Sequence, residues 1–313
     1  HSSKGLRHRS TVARARRGTG VQRECREPSE SGWVAKVKVT VLGAGGFIGA
    51  HMVRRLQARG YDVQTPARDV TRLRGCSLGH DICAIGLTGD FRDRHADTVD
   101  AHVTVPARLL EETRFDSFLY MSSTRVYGGL PPGAVASETA ALNSTPSADR
   151  LYDLSKLTGE ALCLAHPNPA VRVVRLSNVV GRGIGVHTFL GAVVADAIRT
   201  GSVTIHEHPH SAKDYVMIDD ILPIMEHIAL RGDDRIYNIA SGHNVSAADV
   251  ARVLTAHGVD AAFSGRTQTP RIFPRIDTSR IKCEFGFEPS DFKVGLASLL
   301  TTSTRDEIKK RTD

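Results

Sequence analysis

Val37-Lys38-Val39-Thr40-Val41-Leu42-Gly43-Ala44-Gly45-Gly46-Phe47-Ile48-Gly49 is the stretch whose pattern decides the fold. A β-branched apolar run meets the glycines and passes into a helical pattern from Ala50 to Arg59, which predicts a strand, a tight turn and a helix. Three glycines have separate mechanical tasks. Gly43 permits the turn, Gly46 lets backbone N–H groups approach a pyrophosphate, and Gly49 lets the helix pack close on the strand. The first turn of the helix then offers unsatisfied N–H donors and a partial positive charge to phosphates. An ordinary glycine-rich turn could carry the same residues. The strand before them and the helix after them are what point to a dinucleotide. Phe47 and Ile48, which lie in that first turn, join the three glycines as candidate cofactor contacts.

Working outward, Tyr61 to Arg68 is expected to be a second strand. An Asp or Glu at the end of such a strand takes the adenosine ribose hydroxyls of NAD, whereas an Arg accommodates the 2′-phosphate of NADP. Ala67 and Arg68 stand there, with Asp69 next in line. Arg68 is therefore a candidate NADP contact, with a solvated surface arginine as the plain alternative, and both NAD and NADP stay open. Only a short link precedes the next apolar run, Asp81 to Gly86, so the sheet is expected to be one strand short. Residues 92–113 are expected to form one helix with Val99, Val103, Leu109 and Leu110 among its apolar positions. Phe115 to Ser122 is expected to be a strand that delivers Ser122, Ser123 and Thr124 at its end, where ligands of open parallel sheets bind. A Pro-, Ala-, Ser- and Thr-rich loop fills 129–149, and Asp149 or a neighbour is expected to cap the helix running from Leu151 to about His166, before Pro167 and Pro169. Val171 to Asn178 is expected to be a strand. Helical spacing covers 188–200, 219–230 and 246–257, with a strand at 235–240. The expected fold is α/β: a Rossmann-type doubly wound parallel sheet with a smaller C-terminal α+β substrate lobe. Residues 1–35 are expected to be a disordered or foreign basic tail, 36–180 the NAD(P)-binding domain, and 181–313 mainly the substrate lobe, with some elements returning to the sheet.

A chain of 313 residues with 41% apolar and 24% charged residues buries an ordinary core. The net charge of +7 invites a nucleic-acid reading, but its distribution argues against one. Lys4, Arg7, Arg9, Arg14, Arg16, Arg17, Arg23 and Arg26 face only Glu24, Glu27 and Glu30 in the first 35 residues. The remainder is nearly balanced, with no aromatic-interleaved basic stripe. Five cysteines, odd in number and without CxxC spacing, are expected to be reduced thiols of a cytoplasmic protein. No run is long enough to span a membrane and no signal-peptide apolar region is visible.

Tyr152 and Lys156 are four apart and share one helix face. A tyrosine with a pKa of ~10 is a poor base at neutral pH. A nearby ammonium and a cationic oxidised nicotinamide both favour its phenolate. Ser123, from the neighbouring strand end, places a substrate oxygen beside the phenol. Together they form a proton-transfer device next to a hydride acceptor. Alone, Tyr152 and Lys156 would be a surface pair. The order of glycine turn, Ser-Ser strand end and Tyr-Lys helix is what makes them candidate catalytic residues.

These pieces resemble the extended short-chain dehydrogenase/reductase superfamily, in its NAD-dependent epimerase/dehydratase branch. The matching segments are Gly43-Ala-Gly-Gly-Phe-Ile-Gly49, Met121-Ser-Ser-Thr-Arg-Val-Tyr-Gly128, Tyr152-Asp-Leu-Ser-Lys156 and Arg175-Leu-Ser-Asn-Val-Val-Gly181. Lys213-Asp-Tyr-Val-Met-Ile-Asp-Asp220 and Tyr237-Asn-Ile-Ala-Ser-Gly242 extend the resemblance over about 36–300. It implies Ser123 as catalytic hydroxyl, Tyr152 as acid/base, Lys156 as its electrostatic partner, Met121 as a cofactor contact, and Thr124 and Asn178 at the substrate, Asn178 near its diphosphate. It also implies a nucleotide-sugar as the small-molecule partner and a homodimer through the helices at about 92–113 and 150–166.

The sequence departs from the family in three places. The link after Arg68 is shortened. The usual His-Leu-Ala-Ala-like segment is replaced by Ile85-Gly86-Leu87-Thr88, which leaves cofactor contacts to the backbone of Ile85 and Gly86. The Asp-Glu pair of the 4,6-dehydratases is replaced by Thr124-Arg125, so elimination of water lacks its obvious acid and base. Of Arg266, Arg271 and Arg275, the last two are taken as candidate diphosphate ligands. His206, His208 and His210 surround Pro209 without Cys or extra carboxylate ligands and are read as a polar loop, with no metal expected. Asp219 and Asp220 are expected as favourable N-terminal helix charges. The leading expectation is an NAD(P)-dependent nucleotide-sugar epimerase. The alternatives are an NADPH-dependent reductase of a sugar or small carbonyl compound and, third, a non-catalytic dinucleotide-binding protein.

Overall fold

The computed structural model describes residues 36–131 and 133–300. The expectation for residues 1–35 lies outside the described residues.

β1 (Lys38–Leu42) is buried except at Lys38. Val39 and Val41 join one core and Leu42 another. Burial of both faces explains an unbroken apolar run rather than an alternating one. β1 pairs in parallel with β2 (Asp62–Gln64) on one side and β3 (His80–Cys83) on the other. Beyond β3 come β4 (Ser117–Ser123), β6 (Val171–Leu176) and β10 (Ile236–Ile239), again all parallel. The six-stranded order is β10-β6-β4-β3-β1-β2, with β2 at the edge. Only a short helical turn, Val70–Leu73, lies between β2 and β3, so that link adds no strand beyond β2 among the described residues. β2 stops at Gln64 rather than Arg68.

α1 (Phe47–Ala58) and α6 (Ile218–Arg231) cover one face through Met52, Leu56, Ile221 and Met225. Glu226 of α6, 1% exposed, ties them by accepting from Arg55 and Arg59 at 2.7 Å and from Tyr61 at 3.0 Å. α2 (His95–Val99), α3 (Val105–Glu112) and α4 (Leu151–Ala165) lie on the other face, where Leu109, Leu110 and Cys163 of the latter two pack on Phe118, Tyr120 and Val173. The single helix expected over 92–113 is present from His95 to Glu112, with a wider turn inside it at Asp100–Thr104. Pro106 has no N–H for the His102 carbonyl, which instead accepts from the Tyr120 hydroxyl at 2.9 Å.

The strand expected to reach Asn178 leaves the main sheet at Ser177. Ser177 donates to Asp214 at 2.6 Å, and Asp214 also accepts from the Ser241 hydroxyl and the His243 N–H. The chain continues as β7 (Asn178–Val180), which joins β9 (Ala212–Met217) and β11 (Asn244–Ser246). β8 (Ser202–Ile205) pairs with β12 (Asp260–Phe263), and β5 (Val135–Ala136) with β13 (Arg275–Ile276). α5 (Phe189–Thr200), α7 (Ala247–Ala256) and α9 (Phe292–Leu299) bury Leu190, Val250 and Leu296 in a separate core. α8 (Ser279–Phe285) returns to the main sheet through Ile281. α6 begins at Ile218, with Asp219 and Asp220 in its first turn.

Asp81 on β3 is fully buried, and neither carboxylate oxygen has a hydrogen-bond partner among the described residues. Burial alone pushes its pKa well above the usual value. The folded state therefore keeps a proton that the unfolded chain releases above its own ordinary pKa, so this group's contribution to stability falls as pH rises through that window. Asp81→Val should raise stability by about 1–3 kcal/mol, the cost of an unsatisfied buried group. Urea midpoints should show a larger gain at pH 8 than at pH 5. A loss of stability at both pH values would refute the assignment.

Candidate active site

The chain runs from β1 through α1 to β2 on one side and then passes back across β1 to β3 on the other, which opens a crevice at the carboxyl ends of β1 and β3. Gly43 closes β1 with φ +77°, and a Cβ there would lie 2.7 Å from the Ala84 carbonyl group. A Cβ on Gly49 would lie 2.2 Å from the Gly43 oxygen. Gly46 donates its N–H to that oxygen at 2.9 Å. The N-terminus of α1 has no side-chain cap and no acidic residue in its first turn, so its N–H groups face the crevice without competition. This cradle fits a dinucleotide pyrophosphate. Gly49→Ala forces the turn apart and should cost about 1–3 kcal/mol of overpacking and weaken dinucleotide binding. Gly45→Ala, with nothing within 4 Å, should leave both unchanged. Fluorescence titration with NADH and NADPH reads the difference, and normal binding by the Gly49→Ala variant would show that the close approach at this turn is not needed for the cofactor.

Around this cradle the other candidate cofactor residues fall as follows. The Phe47 ring packs near Gly181, and Ile48 supports the main core. Ile85 and Gly86 follow β3, and a Cβ on Gly86 would lie 3.5 Å from Lys156 Nζ. Arg68 is exposed beyond the end of β2. Asp69 turns away into the following turn, accepting from the Thr71 N–H at 3.2 Å and pairing with Arg72 at 3.3 Å. Met121 is on β4, and its carbonyl accepts from Lys156 at 2.8 Å.

β4 and α4 bring the three candidate catalytic residues together. Ser123 ends β4, and its hydroxyl accepts from the Arg125 N–H at 3.2 Å and lies close enough to the Tyr152 phenol to favour its ionised form. Tyr152 is 4% exposed and Lys156 3%. Burial raises the phenol above its ordinary pKa, opposed first by the Arg125 guanidinium and then by Ser123. Lys156 was expected to supply that charge. Its Nζ is 6.0 Å from the Tyr152 ring centre, while the Arg125 guanidinium is at 5.0 Å. Burial lowers the Lys156 ammonium to about 8.

Four neighbours of Tyr152 were not singled out from sequence. Phe91 packs on its ring at 5.0 Å and His102 meets it edge-on at 5.1 Å. His102 Nε2 accepts from the Leu87 N–H at 3.3 Å, so Nδ1 carries the proton to Ser155 Oγ at 2.9 Å. Burial and the Lys156 charge push His102 down to about 2, which keeps it neutral. Arg125 donates to Asp153 at 3.1 Å. The Thr124-Arg125 departure was the one visible signal. Nothing in the spacing marks Phe91, His102 or Asp153.

Thr124 is buried at the start of a short turn, and the Asn178 amide donates to the Asp214 carbonyl at 2.8 Å. Arg271 lines a cleft of about 540 Å³ with Arg125 and Asp153, whereas Arg275 lines a separate one of about 250 Å³. Asp149 does not cap α4. Its N-cap residue is Arg150, and Asp149 pairs with Arg92 at 3.5 Å.

A glycine cradle at the switch point of a parallel sheet, with Ser, Tyr and Lys converging beside it, defines a dinucleotide-dependent enzyme of the extended short-chain dehydrogenase/reductase type. The chain belongs to the NAD-dependent epimerase/dehydratase family, whose model matches residues 39–83 and 82–240. It is 26% identical over 316 residues to a dTDP-4-dehydro-6-deoxy-D-allose reductase of Streptomyces sp., covering 84% of this chain and 95% of that relative. The fold is similar to that of MoeE5 in complex with UDP-glucose and NAD, with a TM-score of 0.71, 21% identity, and coverage of 88% of this chain and 99% of that one. It is also similar to UDP-glucuronic acid 4-epimerase from Bacillus cereus in complex with NAD, with a TM-score of 0.70, 20% identity and coverage of 87% and 96%. No helix among the described residues is long and apolar enough to cross a membrane.

Proposed function

We propose that this chain is an NAD(P)-dependent enzyme acting on a nucleotide-activated sugar, with 4-epimerisation as the reaction that the site supports best. The carrying observation is the placement of a buried Tyr152 and a buried Lys156 one turn apart on α4, beside the β4 end that carries Ser123. The bound nicotinamide supplies hydride acceptance and return. The chain's own residues do the rest. Ser123 holds the substrate oxygen beside the phenol. Tyr152 takes the hydroxyl proton as the carbon is oxidised and gives it back as the ketone is reduced. Lys156, fixed by the Met121 carbonyl beside Gly86, is placed to hold the ribose next to the nicotinamide. Phe91 and His102 keep the phenol away from water. Residues 36–180 form the cofactor half of this site, and 181–300 supply most of the substrate half, including Asn178's strand partner β9 and Arg271. Loss of water is a poor fit, because Asp149 and Asp153, the carboxylates lining the larger cleft, are both paired with arginines.

A one-way reduction with NADPH is the second reading, favoured by the exposed Arg68 and the engaged Asp69 at the end of β2. Mass spectrometry of ligands released from the purified protein, followed by a screen of UDP-, GDP-, CDP- and dTDP-sugars, separates the two. An epimerase retains its dinucleotide without net turnover. A reductase consumes NADPH in stoichiometric amounts. A sugar response indifferent to Tyr152→Phe would leave only dinucleotide binding. The same proposal includes a homodimer packed through α2, α3 and α4, where Val99 and Leu164 are each 37% exposed. Light scattering in solution tests it, and a monomer at micromolar concentration would exclude it.

A further inference from the structure

Arg125 is held on three sides. Its guanidinium lies 5.0 Å from the ring centres of both Tyr152 and Phe91, and its Nε donates to Asp153 Oδ1 at 3.1 Å. Neither Nη makes a hydrogen bond to another of the described residues. Arg150 makes the contrast: one Nη reaches Asp153 and the other the Gly128 carbonyl, both at 3.2 Å, so its fork is occupied. An arginine pinned at Nε and resting against two packed rings leaves its terminal pair of donors few orientations. That arrangement matches the two oxygens of a carboxylate, and little rotamer entropy remains to be lost on binding.

The surrounding charges agree. The larger cleft is lined by Arg92, Arg125, Arg150 and Arg271 against only Asp149 and Asp153. Both aspartates are already paired within the cleft wall. A neutral ligand that filled this space would strip water from an excess of cations without replacing it, which is unfavourable.

We propose that Arg125 is a specificity residue that takes a carboxylate carried on the sugar ring itself, so that the preferred substrate is a nucleotide-activated acidic sugar of the hexuronate type. This rests on the nucleotide-sugar function proposed above. The diphosphate offers the same oxyanion chemistry, but it is the more distant part of the ligand when the reacting carbon sits at Tyr152. Arg271, on the 270–274 segment of the same cleft, is the cation left for it.

Calorimetry on the dinucleotide-loaded protein tests this with UDP- and dTDP-linked glucose, the matching glucuronates, and UDP and dTDP alone. The wild type should bind one glucuronate about 10–100-fold more tightly than the matching glucose, the range that charge-assisted hydrogen bonds supply. Arg125→Gln should remove that ratio while leaving the glucose and diphosphate affinities within about twofold, and Arg125→Lys should restore part of it. Thermal melts establish that both variants are folded. Equal wild-type affinities for the two sugars overturn the proposal and leave the nucleotide-sugar function standing. An equal loss for all three ligands in Arg125→Gln assigns the fork to the diphosphate and also overturns it. Binding by none of the ligands removes the parent function and this proposal together.

Discussion

Replacing Tyr152 with Phe lowers turnover of the true substrate by about 10²–10⁴-fold, the usual contribution of a positioned acid/base. The change removes one oxygen and keeps the ring. Its contacts with Phe91 at 5.0 Å and His102 at 5.1 Å survive, so the change should cost stability no more than about 1.5 kcal/mol, the most that one ordinary hydrogen bond contributes. Dinucleotide affinity, set by the α1 turn, should not move. The pH dependence gives a second readout. Burial holds the phenol above its ordinary pKa in the free protein, so a rate limited by its base form climbs with pH. The residual rate of the Phe variant should be flat over the same range. Single-turnover kinetics across pH measure both, and a Phe variant with wild-type turnover would end the acid/base assignment.

The second large effect is on stability. Glu160→Leu should cost about 3–5 kcal/mol, because it strands a buried charge. Arg175, with only 4% of its side chain exposed, reaches Glu160 through Nη2 at 2.6 Å and through Nε at 3.1 and 3.2 Å. Ser122 donates to the same carboxylate. Arg175 also donates to the Tyr127 hydroxyl at 2.8 Å, and Tyr127 donates to Asn238 at 2.7 Å. The network therefore joins β4, α4, β6 and β10 directly behind the site: Ser122 precedes Ser123, and Glu160 follows Lys156 by one turn. The double variant Glu160→Leu/Arg175→Met should recover most of the loss, since replacing both ions with apolar groups is often neutral. Urea denaturation of the three proteins reads this. A single variant that costs under about 1 kcal/mol would show that the pair is not acting as a buried ion pair.

Local stretches with one steric solution were legible in the chain. Gly43 and Gly49 are forced by close backbone approach, and the apolar runs of β1 and β4 follow from burial on both faces. Tyr152 and Lys156 share a helix face by spacing alone. The short link after Arg68 limited the sheet to six strands. Pro106, which accompanies the wider turn inside the 95–112 helix, was visible too. Distant pairings were not legible. Arg125 rather than Lys156 lies nearest the Tyr152 ring because a turn after β4 meets the first turn of α4 and the loop carrying Phe91. His102 serves the site only because α3's wide lead-in turn brings it against Leu87 and Ser155. Arg271 and Arg275, close in sequence, line different clefts, and Arg275 is itself held in β13 by pairing with β5. The sequence by itself determined the turn in which Gly49 meets Gly43 and the shared helix face of Tyr152 and Lys156, because both depend on contacts within a few residues. Only the tertiary structure decided the charge around the phenol and the shape of the substrate cleft. Those depend on long-range packing between elements whose local patterns carry no record of one another.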